Sequence, residues 1–130
     1  MSDITVRRVK FEFPDELDEV FPGIDPVGET YLAAFSLTMP ALEPYLIRTM
    51  RTVLPRITDV ELAEDVQRFS GQEAQHFQNH RRINEIIIGQ VDPAAGAELR
   101  AILDDLERTY RRYTDSKSDR FNLMYAEGFE

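Results

Sequence analysis

The sequence predicts an all-α protein, a single helical bundle behind a short extended arm. Three observations carry this. Apolar residues recur at helical spacing over most of the 130 residues. Start and stop signals (Pro55, Thr58-Asp59, Gly89, Asp92-Pro93) fall between those stretches. Only Val9 to Phe13 alternates as a strand does.

Residues 1–25 form the arm. Val9-Lys10-Phe11-Glu12-Phe13 reads as an extended piece or strand, closed by Pro14. Pro22-Gly23 and Asp25-Pro26 are turn signals, and Asp25 is placed to cap a helix whose first residue is Pro26. From Val27 to Met39 the chain is strongly apolar, with Tyr31, Leu32, Ala33, Ala34, Phe35 and Leu37. This reads as a buried helix, broken or kinked at Pro40. A second helix runs from Ala41 to Leu54, with Pro44 tolerated in its first turn. Leu42, Tyr45, Leu46, Thr49, Met50 and Val53 keep helical spacing there, and Pro55 ends it.

Thr58-Asp59-Val60-Glu61 matches a capping box with Thr58 as the cap. It opens a long helix to Ile88, stopped by Gly89. Leu62, Val66, Phe69, Phe77, Ile83 and Ile87 mark its packed side. Asp92 caps a helix from Pro93, with Leu99, Ile102, Leu103, Leu106, Tyr110 and Tyr113 as the apolar face. After an exposed joint at Asp115-Ser116-Lys117-Ser118, a last helix starts near Asp119 and carries Phe121, Leu123, Met124, Tyr125 and Phe129. The chain stops at Glu130 inside that pattern, as a truncated bundle would, or one whose last helix a partner completes. The expected organisation is an arm over 1–25 and a helical bundle domain over 26–130, truncated at its C-terminal end.

One domain is what this length supports. With 42% apolar and 30% charged residues the composition is globular rather than disordered. A net charge of -9 argues against nucleic acid as a partner, because neutralising phosphates needs a surplus of Lys and Arg. The pairs Arg7-Arg8, Arg81-Arg82 and Arg111-Arg112 are flanked by acids and read as solvated faces. There is no cysteine, which excludes disulfides, thiolate metal sites and cysteine nucleophiles. No apolar run approaches the ~20 residues of a membrane span, and the N-terminus lacks a signal-peptide core. The expectation is a cytoplasmic protein with no membrane partner. Neither a Gly-rich phosphate loop nor a Gly-x-Ser-x-Gly elbow is present. A serine triad is disfavoured because both histidines sit on one helix.

Those histidines lie in Gly71-Gln72-Glu73-Ala74-Gln75-His76-Phe77-Gln78-Asn79-His80. On a helix Glu73, His76 and His80 share one face. They continue the Leu62, Val66, Phe69 stripe, so the charge falls on the core side, a costly place unless a cation compensates. Glu-x-x-His recurs in carboxylate-bridged dimetal sites inside helical bundles. The plain alternative is a solvated Glu–His helix pair. Glu43 stands on an apolar surface, where it is either a buried ligand or a first-turn glutamate favoured by the helix dipole.

The chain resembles a bacterial family of predicted metal-dependent hydrolases with a ferritin-like fold. Lys10-Phe11-Glu12-Phe13-Pro14, Ser36-Leu37-Thr38-Met39-Pro40-Ala41-Leu42-Glu43 and Ile47-Arg48-Thr49-Met50-Arg51 carry the likeness. Gly71-Gln72-Glu73-Ala74-Gln75-His76 with Asn79-His80-Arg81-Arg82-Ile83-Asn84 carries it most specifically. The resemblance implies a ferritin-like bundle and a dimetal site of helix-borne carboxylates and histidines. Glu43 would be the first-helix ligand, Glu73 would bridge or chelate, and His76 would bind one metal. His80 would be a further ligand or a support for one. Glu130 would start a Glu-His piece whose histidine lies past the end of this sequence, and Glu127 is a weaker substitute.

Three readings follow. In the first, one or two divalent ions (Fe, Mn or Zn) act on a small-molecule substrate, with Glu43 and Glu73 as catalytic carboxylates. The family label makes the chemistry hydrolytic; a carboxylate-bridged di-iron oxidase or oxygenase is the alternative. In the second, the chain is a non-catalytic interaction or metal-storage module. In the third, two half-bundles pair as a homodimer and complete one site between them. Arg48, Arg51, Arg81 and Arg82 either bind an anionic substrate or form surface ion pairs.

Overall fold

The computed structural model describes residues 4–14 and 21–128. Four helices follow in order: α1 (Pro26–Val53), α2 (Val60–Gln90), α3 (Pro93–Ser116) and α4 (Asp119–Glu127). A 3₁₀ turn at Leu54–Arg56 carries Pro55. No strand occurs among the described residues, so the fold is all-α. None of the helices is long and apolar enough to cross a membrane.

Short polar side chains start each helix. Asp25 Oδ1 accepts from the N–H groups of Val27 (3.0 Å) and Gly28 (3.2 Å). Asp92 Oδ1 accepts from Ala94 (2.9 Å), and Ser118 Oγ from Phe121 (3.2 Å). For α2 the cap is Asp59, bonded to the Leu62 N–H at 3.1 Å, and not Thr58. A carboxylate also meets the positive end of the helix dipole, which a hydroxyl does not.

The break expected at Pro40 does not occur: α1 runs unbroken through Pro40 and Pro44. Proline in a helix interior deprives the carbonyl four residues earlier of its N–H donor. For Pro40 that carbonyl belongs to Ser36, and Asn84 Nδ2 of α2 donates to it at 3.0 Å. A tertiary contact thus restores the bond that the local sequence removes.

The strand expected over Val9–Phe13 is also absent, since no second strand is there to pair with it. The arm lies along α2 instead. Arg7 N–H donates to Gln72 Oε1 at 2.9 Å, and Asn79 Nδ2 donates to the Val9 carbonyl at 3.3 Å. Gly71 makes room for this, because a Cβ there would stand 3.1 Å from Val6 Cγ2.

Contacts between helices set their directions. Ser36 meets Asn84 and Glu43 meets His80, so α1 and α2 are antiparallel. Tyr45 stacks on Tyr110 and Arg48 meets Thr114, so α1 and α3 are parallel. α4 returns antiparallel, with Asn122 on Tyr45 and Asp119 on Arg56. Helix α1 is central, packing on α2, α3 and α4, whereas α2 and α3 touch little. Two apolar clusters result. Ala33, Leu37, Ile83, Ile87 and Ile88 form one. Met39, Leu42, Tyr45, Leu46, Tyr110 and Ala126 form the other. In the second, Tyr45 is wholly buried, and its hydroxyl donates to Asn122 Oδ1 at 2.9 Å.

Some residues expected in the core lie outside it. Tyr31 is 69% exposed, Phe35 51%, Leu62 51% and Ile102 63%. Tyr31 and Phe35 share a side of α1 about 200° around from Ala33 and Leu37, and no described helix covers it.

Candidate metal centre

The seam between α1 and α2, where the two apolar clusters adjoin, carries the chemistry. α2 contributes Glu73 and His76, and α1 contributes Glu43. One donor atom from each lies within 4.8 Å of the other two. Glu43 is 3% exposed and Glu73 6%. His76 is half exposed, with Nδ1 3.6 Å from Glu73 Oε2. Two buried carboxylates this close repel each other in a medium that screens poorly, and a shared cation removes that cost. The set also fits one in size. Metal–ligand bonds of about 2.1 Å place donors at most ~4.2 Å apart, so closing on an ion takes only a small inward movement.

His80 stands beside this group, its Nε2 3.9 Å from Glu43 Oε1. Its orientation follows from a chain of hydrogen bonds that begins at Pro40. The Ser36 carbonyl can only accept, so it takes the Nδ2 end of Asn84. Asn84 Oδ1 is thereby turned to the Ser36 hydroxyl, which donates to it at 2.8 Å. That hydroxyl has spent its one hydrogen, so at 2.8 Å from His80 Nδ1 it accepts from Nδ1–H. The neutral imidazole then has a bare Nε2 lone pair on the Glu43 side. Burial, and after it the neighbouring His76, pushes the His80 imidazole below its ordinary pKa of 6.5. Both effects favour a neutral nitrogen ligand.

His76 is held differently. Gln72 accepts from the Arg7 N–H through Oε1, which leaves its Nε2 to donate to His76 Nε2 at 3.2 Å. The His76 proton is then on Nδ1, facing Glu73, and must leave before Nδ1 can hold a cation.

Of the residues singled out from the sequence, Glu43, Glu73 and His76 come together, and His80 adjoins them through Glu43. Glu130 lies outside the described residues. Glu127 is exposed on α4 and is not in the group. Sequence reasoning missed Ser36 and Asn84 as supports. Both had a signal: Asn84 is one turn past His80 on the same face, and Ser36 is the residue whose carbonyl Pro40 orphans. Ser36 is no nucleophile, being 4% exposed with its proton committed to Asn84.

A family model described as predicted metal-dependent hydrolase matches residues 5–130. Neither a curated protein nor a solved structure matches the chain. A match over nearly the whole chain places this protein in the predicted metal-dependent hydrolase family.

Proposed function

We propose that the protein is a metal-dependent hydrolase of small molecules, with Glu43, Glu73 and His76 holding a divalent ion and His80 completing or supporting the site. The carrying observation is the meeting of two buried carboxylates and a half-exposed imidazole on facing helices. The ferritin-like arrangement belongs to this proposal, supported by a Glu-x-x-His on one core helix opposite a glutamate on another. A bound ion supplies Lewis acidity and an activated water.

The chain's own residues do the rest. Glu43 and Glu73 lie on the closed side, in a poorly solvated position where a cation would neutralise them. His76 stands at the open edge, where a substrate enters. The bare Nε2 of His80, beside Glu43, accepts a proton or ligates. The apolar residues on either side of the seam exclude water from it.

The test is metal content by plasma emission spectrometry for the wild type and Glu73→Ala/His76→Ala, followed by turnover of chromogenic carboxylic and phosphoric esters. Stoichiometric Zn or Mn that disappears in the variant, with metal-dependent hydrolysis, is expected. Bound iron without hydrolysis would turn the reading to oxidative chemistry. No metal after reconstitution would remove it.

A further inference from the structure

Because α2 and α3 touch little, a cleft of about 740 Å³ opens between them with α1 as its floor. That size lies within the ~300–1,000 Å³ of small-molecule sites. None of Glu43, Glu73, His76 and His80 lines it. We propose that this cleft binds a small organic phosphate monoester.

Charge is the first reason. The chain has 15 basic and 24 acidic residues, yet five arginines and three carboxylates line the cleft. Two of the carboxylates are already taken: Glu85 pairs with Arg100 at 3.1 Å and Glu107 with Arg111 at 2.6 Å. Among the described residues Arg48, Arg51 and Arg81 have no carboxylate within ion-pair distance.

Arg48 is the second reason. It reaches from α1 towards α3, where Nε donates to Thr114 Oγ1 over a long 3.4 Å. Its Nη2 is enclosed and has no hydrogen-bond partner. Desolvation, then the charge of Arg111, lowers its pKa, and the more distant charges of Glu107 and Asp115 offset this only in part. An enclosed guanidinium nitrogen with no acceptor, in a partly desolvated cleft, is stabilised by an anion that reaches it. Arg81 is steadied on the opposite wall, 5.5 Å above the Phe77 ring centre.

The donor set selects the ligand class. One arginine fork satisfies a carboxylate, whereas several guanidiniums without a direct carboxylate contact, lining one cleft, suit a dianion with three terminal oxygens. Leu37, Ile47, Phe77 and Leu103 give the cleft an apolar lining, which asks for an organic body on the phosphate. Asn84 lines the same cleft while it holds Ser36, so an occupant here lies one side chain from the His80 support.

Phenyl phosphate is the probe, titrated into the metal-free full chain by calorimetry and by nitrogen–proton NMR, at fixed ionic strength. The expected result is saturable one-to-one binding with shifts at Arg48, Arg81 and Phe77. Binding weakens about tenfold in Arg51→Gln/Arg81→Gln, which removes two charge-assisted contacts from the exposed rim. The control Arg56→Gln/Arg108→Gln removes the same charge elsewhere and leaves affinity unchanged. No saturable binding overturns the proposal, and so does an equal loss in the control, which would mark diffuse attraction. The rim variant carries the test even where Arg48→Gln does not fold.

Discussion

Asn84 Nδ2 donates to the Ser36 carbonyl at 3.0 Å, the acceptor that Pro40 leaves without an N–H. One side chain therefore both heals a proline-interrupted helix and orients the imidazole next to the candidate metal ligands.

Asn84→Ala removes both services. Leaving the buried Ser36 carbonyl unpaired, and its hydroxyl with His80 as its remaining partner, should cost about 2–3 kcal/mol in urea unfolding. Pro40→Ala restores a backbone donor for Ser36. Asn84→Ala in that background should therefore cost about 1 kcal/mol less than it does alone. Additive effects of the two changes would show that the carbonyl is not the link.

The His80 tautomer is directly observable, because the chain has two histidines. Long-range nitrogen–proton NMR on histidine-labelled, metal-free protein should show the His80 proton on Nδ1 at pH 7.5. Asn84→Ala should mix the tautomers. A proton on Nε2 in the wild type would contradict the Pro40-to-His80 chain.

The pH dependence has a definite sign. The folded-state pKa of His80 is below the ordinary 6.5, so the unfolded chain takes up the proton first. Its contribution to stability is full above pH 6.5 and falls as pH drops towards the folded value. Urea midpoints of the metal-free protein should decline from pH 7.5 to 5.5. In His80→Gln this share of the decline should be missing; an unchanged slope would assign it to other groups.

Divalent metal should stabilise the wild type and not its carboxylate variants. At a free concentration ~100 times Kd the gain is about 2.7 kcal/mol, read as a rise in Tm. Glu73→Gln should abolish that rise while leaving the metal-free protein at least as stable, because one of two adjacent buried charges is gone. If Glu73→Gln responds to metal as the wild type does, the ion sits elsewhere.

Tyr45→Phe separates packing from hydrogen bonding in the aromatic cluster. The ring keeps its stack on Tyr110, but the buried Asn122 loses the hydroxyl that donates to it. A loss of about 1–2 kcal/mol in thermal or urea unfolding is expected, with metal binding untouched.

Relations within one or two helical turns were legible without any structure. Asp25 and Asp92 as caps, Pro26 and Pro93 as first helical residues, and the shared face of Glu73, His76 and His80 all depend on neighbours a few positions away. Relations across the bundle were not. That Glu43 reaches Glu73 and His76 depends on how α1 lies on α2. That Tyr31 and Phe35 face outward depends on which sides of α1 receive a partner. Pro40 is the clearest case. By its own sequence it should interrupt a helix, because it withdraws a backbone donor, and it does not, because the missing donor comes from Asn84, 48 residues beyond Ser36. Local sequence sets which backbone bonds a segment can make for itself, and only the packed bundle decides which side chains arrive to make the others.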